Sequence, residues 1–367
     1  MPTKEDLKYF QALPLDMKIV LTKSRFRDWV REFGTDGVYV SFSGGKDSTV
    51  LADMYARFCR DYECKMYLVF VNTGLEYPEI QKFVKTFVEW LRNTYNIEVE
   101  LIILRPKMRF DEVIKKYGYP IISKVVSEAI YQTRRNIEKG NFETTRYKQL
   151  HGLYMTSDGT RKSLFDKSKY RPLLDVDFPI SSLCCDFMKK QPCKQYEKET
   201  GKKPILAQMA EESQKRLTEW LNSGCNGFNL KRPQSNPMGF WTEQDVLQYI
   251  KKYDIPIASV YGDIVYAHNP DQIRLEDLGV EGVGTEKLTT TKCDRTGCIF
   301  CAFGCHLEKH PRFQRLKETH PRQYEYCIGG GEYDKNGVWK PNKKGLGMGH
   351  VFDELNKIYG NGFIKYE

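Results

Sequence analysis

No stretch of the 367-residue chain approaches the ~18 consecutive apolar residues that a membrane span needs. The opening residues, MPTKEDLKYF, lack the apolar core of a secretory signal. These two absences lead to the expectation of a cytoplasmic protein with no membrane partner. No internal repeat recurs, so the chain does not read as an array of stacked units. A Walker phosphate loop is missing as well. That loop needs Gly, four residues, then Gly-Lys-Ser/Thr; counting back from Lys46, its first glycine position is Val40. The glycines of YVSFSGGKDSTVLADMY, Tyr39 to Tyr55, therefore require another explanation.

What is present is ordinary in bulk. The length allows one large domain with an elaboration, or two domains. With 40% hydrophobic and 29% charged residues, the composition is that of a soluble globular chain. The net charge of +9 suits phosphate-bearing ligands. Eleven cysteines exceed what folding needs. In a reducing compartment they read as metal ligands, catalytic thiols or core residues rather than disulfides.

Leu15, Ile19, Thr22, Phe26, Trp29 and Phe33 recur at helical spacing and predict an amphipathic helix. GVYVSFS (37–43), KMYLVFVNT (65–73) and EVELIILR (98–105) read as strands. Helices follow at 48–58 and, beginning with Pro, at 78–95. PILAQMAEE (204–212) could supply another strand, and 241–255 a helix with Thr242 as N-cap and Asp245 at N3. Strand alternating with helix predicts an α/β fold, a doubly wound, mainly parallel, Rossmann-like sheet with a cysteine-rich C-terminal elaboration. The expected organisation is a helical lead-in over 1–36, a nucleotide-binding domain over 37–265, and a cysteine-rich region over 266–367. Within it, 132–171 carries ten Lys/Arg against four Asp/Glu, read as an insertion or loop that is either a solvated charged segment or a nucleic-acid contact. Near the C-terminus, Asn336-Gly337 is a turn signal for a hairpin.

The strand–loop–helix order around Ser43-Gly44-Gly45-Lys46-Asp47-Ser48 explains the glycines. Without Cβ atoms, their N–H groups can approach phosphate oxygens closely. The following helix N-terminus adds unpaired donors and partial positive charge, and Lys46 a full one. Doubly wound sheets place ligands at such strand ends.

SFSGGKDS resembles the PP-loop of the ATP-pyrophosphatase superfamily, and the chain as a whole resembles the iron–sulfur-bearing branch of its phosphoadenosine phosphosulfate (PAPS) reductase family. The resemblance spans roughly residues 37–305. It implies binding of ATP or a related adenylyl nucleotide by Ser43, Gly44, Gly45, Lys46, Asp47 and Ser48, with cleavage between the α and β phosphates. Lys46 and Asp47 are the implied catalytic pair. VNTGLEYPE (71–79) is similar to the family's Asp-Thr-Gly segment, giving Thr73 and Gly74, with Asn72 in place of the usual Asp. AEESQKR (210–216) resembles its Glu-Ser-x-x-Arg element, giving Glu212, Ser213 and Arg216; an Arg common just before it is Met209 here. FWTEQDVLQYIKKYDIPIASVY resembles the family's Trp-x-x-x-Asp-Val-x-x-Tyr-Ile segment.

Two cysteine knots stand out, LCCDFMKKQPC (Cys184, Cys185, Cys193) and CDRTGCIFCAFGC (Cys293, Cys298, Cys301, Cys305). Thiolates at such spacing can converge on one metal centre. Cys-Cys followed far along by Cys-x-x-Cys is similar to the cluster-bearing sulfonucleotide reductases, which implies a [4Fe–4S] cluster on Cys184, Cys185, Cys298 and Cys301. The compact set Cys293, Cys298, Cys301 and Cys305 is the rival, for iron–sulfur or zinc. Cys59, Cys64 and Cys225 read as packing residues. Lys189 and Lys190 follow the Cys pair, as a Lys does in the family, and would stabilise charge on a reacting phosphate or sulfate. His306 and His310, four apart, read as structural or surface, because the zincin pattern needs Glu directly after the first His.

The reductases attack activated sulfate with a C-terminal Glu-Cys-Gly-type thiolate, whereas no cysteine follows Cys327 here. The preferred reading is therefore adenylation of a substrate, assisted by Mg²⁺, followed by sulfur transfer. DNA or tRNA is the candidate acceptor, and a cysteine desulfurase an example of a sulfur donor. The alternatives are a PAPS or adenosine phosphosulfate (APS) reductase releasing sulfite, and a non-enzymatic, nucleotide-gated nucleic-acid-binding module with a structural metal.

Overall fold

The computed structural model describes residues 1–267 and 287–367; the part of the expected cysteine-rich region that covers 268–286 lies outside the described residues. The chain forms two compact units, 1–105 with 193–297 and 106–192 with 298–367.

The first unit opens with α1 (Lys4–Ala12) and α2 (Leu15–Phe33). The expected apolar stripe of α2 buries Thr22, Phe26 and Trp29. β1 (Val38–Ser41), α3 (Lys46–Asp61), β2 (Met66–Val71), α4 (Pro78–Tyr95) and β3 (Val99–Leu104) follow. Val38, Tyr39 and Val40 are all buried, as a parallel strand covered on both faces requires. α4 starts at Pro78, where a missing N–H costs nothing, and buries Ile80, Phe83, Val84, Phe87 and Leu91 on one face.

The six-stranded sheet of this unit runs β3–β2–β1, then Lys203–Ile205, Gln234–Ser235 and Asn226–Gly227. All pairings are parallel except the last, at the edge. The chain thus builds outward from β1 in one direction and later returns to its other side. The buried Asp53 carboxylate ties three helices together: it accepts from Tyr95, from Tyr249 Oη at 2.6 Å and from Arg57 Nε at 2.9 Å. The helix Glu243–Tyr253 carries the expected Thr242 cap, a reciprocal box with Asp245. The strand expected over 204–212 stops at Ile205; Ala210–Glu212 is a single 3₁₀ turn, because Glu212 folds back to accept from Met209 N at 2.9 Å.

The second unit contains α5 (Phe110–Tyr117), β4 (Ile121–Ile122), α6 (Lys124–Glu138) and α7 (Thr145–Leu150). The basic 132–171 segment is therefore folded rather than a loop, comprising the end of α6, α7, a turn-closed excursion and the 3₁₀ stretch Ser168–Leu174. Arg134 anchors it: the guanidinium donates to the carbonyls of Leu173, Leu174, Val176 and Phe178 at 2.7–3.2 Å. Two parallel pairings flank the segment after α5. Tyr119 bridges Ile180, and β4 pairs with Ala302–Phe303. The hairpin expected at Asn336-Gly337 is present, Glu332–Tyr333 against Trp339–Lys340. Among the described residues no helix is long and apolar enough to cross a membrane.

Arg134→Met keeps the aliphatic stem but orphans four carbonyls. It is expected to lower stability by about 2–3 kcal/mol, read as an earlier midpoint in urea unfolding; an unchanged midpoint would refute the anchoring role.

Candidate functional site

The switch between β1's two neighbours leaves a crevice at its carboxyl end, and the Ser43–Ser48 loop occupies that position. Gly44 has φ +73°, and a Cβ there would meet Ile80 Cγ2 at 2.7 Å. Glycine is therefore required twice, by backbone conformation and by the closeness of α4. Gly45 caps α3. Ser43 and Ser48 hold the turn: Ser43 N donates to Ser48 Oγ at 3.2 Å, and Ser48 Oγ donates to Gly45 O at 2.9 Å.

Lys46 is buried. Its Nζ donates to the Asp294 carbonyl at 3.0 Å and pairs with Glu243 Oε1 at 2.9 Å. Burial opposes the charge, but Asp47 and Glu243 outweigh it and hold the ammonium above its ordinary range. Asp47 Oδ1 is buried with no hydrogen-bond donor and lies 3.5 Å from Lys46 Nζ. The Lys46 backbone N–H donates to Tyr261 Oη at 3.0 Å, and Tyr261 Oη lies 2.7 Å from Thr296 Oγ1. Loop donors suited to phosphate are thus engaged by protein oxygens.

The other nucleotide candidates have defined local roles. Thr73 Oγ1 donates to Glu76 Oε1 at 2.6 Å, and Gly74 N donates to Asn72 Oδ1 at 3.1 Å. Asn72 therefore closes the turn that the family's Asp would close. Ser213 caps the helix Gln214–Ser223, and Glu212 pairs with Arg216. Burial, then repulsion from Arg295, depresses the Arg216 guanidinium, while Asp47 favours its charge. Two guanidiniums close enough to repel, near a lysine-bearing glycine turn, form an anion-seeking group. The sequence reading missed Arg295, Glu243, Tyr261 and Thr296. All four fell within quoted segments, Glu243 and Tyr261 in FWTEQDVLQYIKKYDIPIASVY and Arg295 and Thr296 in CDRTGCIFCAFGC, but no local spacing links them to the loop.

The second unit holds Cys184, Cys185, Cys298 and Cys301. Ile180 and Ala302 both pair with the Tyr119–Ile122 segment, so Cys184-Cys185 and Cys298–Cys301 are brought toward one place. The Cys184 thiol is raised by its hydrogen bond with Cys185, then by burial, and also by the charges of Cys185, Cys301 and Cys298. The four cysteines are within electrostatic reach of one another. Hydrogen bonding to Cys184 lowers the Cys185 thiol against burial, helped by Lys124 and Lys189. Arg312 donates to Cys301 O at 2.8 Å and pairs with Glu308. Ile122, beside this centre, has φ +60°, a strained value for a β-branched residue. Lys189 and Lys190 end the π-helical turn Asp186–Lys190, and Lys190 pairs with Asp186 at 2.6 Å.

Among the described residues no group of three or more His, Cys, Asp or Glu side chains is closed around a metal-sized position. The donor chemistry nevertheless fits an anionic thiolate-held cluster, four sulfurs with Lys124, Lys189 and Arg312 around them. Cys293 Sγ donates to Arg295 O at 2.9 Å within the first unit, and Cys305 Sγ to Ala302 O at 3.1 Å. Cys193 faces Tyr39 and Glu197 in the first unit. Cys59 and Cys225 are buried as expected, but Cys64 is half-buried. His306 and His310 do not share a helix; His306 ends in a 3₁₀ turn, its ring stacked on Phe363 at 4.9 Å.

Residues 37–163 match the family described as phosphoadenosine phosphosulfate reductase domain, which bears out the resemblance read from the loop. No curated protein matches the chain significantly. Among solved structures, the NMN synthetase of Francisella tularensis is similar at 10% identity and TM-score 0.32, over 66% of this chain and 72% of that one. The NH₃-dependent NAD synthetase of Campylobacter jejuni, in complex with the nitrate ion, is similar at 11% identity and TM-score 0.29, over 66% and 75%. The U34-tRNA thiolase NcsA of Methanococcus maripaludis, with its [4Fe–4S] cluster, is similar at 14% identity and TM-score 0.32, over 66% of each chain.

Gly44→Ala must place a Cβ at positive φ against Ile80 and is expected to cost about 1–3 kcal/mol. Gly45→Ala, which meets only side-chain oxygens at 3.2–3.3 Å, should cost clearly less. Thermal unfolding of the two variants checks the order, and equal midpoints would contradict the loop geometry.

Proposed function

We propose that the first unit binds ATP, or a related adenylyl nucleotide, through Ser43–Ser48 and transfers its adenylyl group to an acceptor oxygen, which sulfur then replaces. The observation that carries this reading is the glycine turn at the switch point of the sheet, opening onto the α3 N-terminus with Lys46, Arg216 and Arg295 in its field. Thr73 and Gly74, on the turn after β2, would contact the nucleotide beside it.

Incoming phosphate takes the place of Glu243 and the Asp294 carbonyl as partner of Lys46. The acceptor oxygen attacks the α-phosphorus, the bond to the α–β bridging oxygen breaks, and pyrophosphate leaves with the electron pair. Negative charge grows on the leaving group, where loop N–H groups and the Lys46 ammonium stabilise it. Arg216 and Arg295 neutralise the departing phosphates, and Glu212 orients Arg216. Asp47, with its orphaned buried oxygen, and Glu243 fit the oxygen-donor preference of Mg²⁺, which when bound supplies further neutralisation of phosphate charge. Sulfide, released from a donor such as a cysteine desulfurase by a thiol reductant, then displaces AMP from the adenylated acceptor.

Cys184, Cys185, Cys298 and Cys301 would hold a [4Fe–4S] cluster in the second unit, which when bound supplies thiolate-ligated iron for one-electron or sulfur chemistry. Lys124 and Lys189 keep Cys185 in the thiolate form that ligation needs. The two cysteines nearest the C-terminus do not suit the sulfite-releasing reductase, since Cys327 is fully buried and the Cys305 thiol is buried and occupied by the Ala302 carbonyl.

Pyrophosphate release from ATP, measured with and without a nucleic-acid acceptor, tests the first step. Lys46→Ala is expected to lower it by ~10²-fold or more, and Arg295→Ala, at an exposed side chain, by a smaller factor with the fold intact. Unchanged turnover in both, or sulfite from PAPS in place of pyrophosphate, would reject the reading.

Protein isolated without oxygen is expected to carry ~4 iron per chain. Cys184→Ser should lose most of it, and Cys293→Ser should retain it. The opposite pattern would move the centre to the rival set, and zinc in place of iron would reject the cluster.

A further inference from the structure

The basic segment of the second unit has a surface that neither the nucleotide loop nor the cysteines use. Between α6 and α7 the chain presents Phe142, 48% exposed. Its ring meets Tyr147 edge-on at 5.4 Å, and Tyr147 stacks on His151 at 3.8 Å. The latter two are four residues apart at one end of α7, so the helix itself sets the stack. The excursion that follows is closed by Met155 bridging Lys162, with Thr156 N donating to Arg161 O and Ser163 N to Tyr154 O, both at 2.9 Å. It leads into Leu164, fully exposed, and Phe165, 64% exposed.

The same segment carries ten Lys/Arg against four Asp/Glu. Among the described residues the segment forms a single ion pair, Lys148 with Glu143 at 2.7 Å. Arg134 and Lys167 are turned inward onto carbonyls, and burial together with the neighbouring Arg146 charge presses the Lys167 ammonium down. Among the described residues no carboxylate pairs with Lys139, Arg161, Lys169 or Arg171. A solvated charged face would not expose Phe142, Leu164 and Phe165 among unneutralised cations.

We infer that this surface binds single-stranded or looped nucleic acid, with unstacked bases on Phe142, Tyr147–His151 and Phe165 and phosphates on the surrounding lysines and arginines. Aromatic faces can take a base only when the base is not stacked within a duplex, and unpaired cations track the backbone without reading sequence. The inference rests on the proposed function only in identifying this ligand as the adenylated acceptor; the surface itself follows from exposure and charge.

Fluorescence anisotropy with the full chain and a labelled single-stranded oligonucleotide of about 16 nucleotides tests it. No ATP is present, so loss of binding and loss of pyrophosphate release are read separately. Binding is expected to weaken at least 10-fold between about 50 and 200 mM salt. Phe142→Ala and Phe165→Ala, at exposed sites checked for folding by circular dichroism, should each weaken it by about 5- to 100-fold. Arg161→Glu should lower the salt slope by about one. A duplex of equal length should bind more weakly. The proposal is overturned if the wild-type chain shows no salt-dependent binding, if both aromatic variants bind like wild type, or if the duplex binds as tightly. It is equally overturned if anionic phosphatidylserine vesicles are bound in preference through Phe165, which would assign the face to a lipid surface.

Discussion

Everything proposed for the first unit depends on β1 having neighbours on both sides, β2 on one and Lys203–Ile205 on the other. Parallel strands need long crossovers; the chain leaves β1 toward β2 and returns to the other side of β1 only after β3. The loops at their carboxyl ends therefore diverge at this switch point. The chain places its tightest glycine turn there. The element that returns to the other side of β1 continues into Glu212, Ser213 and Arg216, so one topological event supplies both the phosphate turn and an arginine to face it.

Charge balance explains how that turn is held together. A buried ammonium is costly unless paired, and Lys46 is paired by Glu243, Asp47 and the Asp294 carbonyl. Arg216 and Arg295 repel each other, although Glu212 pairs with Arg216 and Glu211 lies in the field of Arg295. Cations held near one another in this way favour an incoming polyanion over water, and the displaced acids are suited to a divalent cation. Binding and catalysis would then use the same groups, exchanged between partners.

The second unit shows a comparable convergence. Tyr119–Ile122 pairs with one strand leading to Cys184-Cys185 and another leaving Cys298–Cys301. Lys124 follows it at the start of α6, so the backbone that gathers the thiols also delivers a cation that adds to the Cys184 hydrogen bond in lowering the Cys185 thiol. The strained φ of Ile122 falls within this crossing. The aromatic and basic residues of 135–171 lie further along the same unit, anchored by the single guanidinium of Arg134.

Much of the fold was legible from local pattern. The α2 stripe, the bounds of α4, the Thr242 cap and the Asn336-Gly337 hairpin depend on residues within a turn or two of each other, and periodicity reports such contacts directly. The Ser43–Ser48 loop was legible for the same reason, since its chemistry is contained in one short run between a strand and a helix. The 204–212 strand was over-extended because Glu212 reaches back to Met209 N, a side-chain bond that β-propensity does not encode. Lys139, Arg161 and Phe165 were visible as composition, but not that they are exposed and unneutralised. Sequence alone thus determined the glycine turn, the elements around it and the thiol spacings. Only tertiary structure decided that Glu243, Tyr261, Asp294 and Thr296 occupy that turn, that Arg295 joins Arg216, and that Cys184 feels Cys301. These pairs are distant along the chain, and their approach is set by strand order and helix packing, which no short window of residues contains.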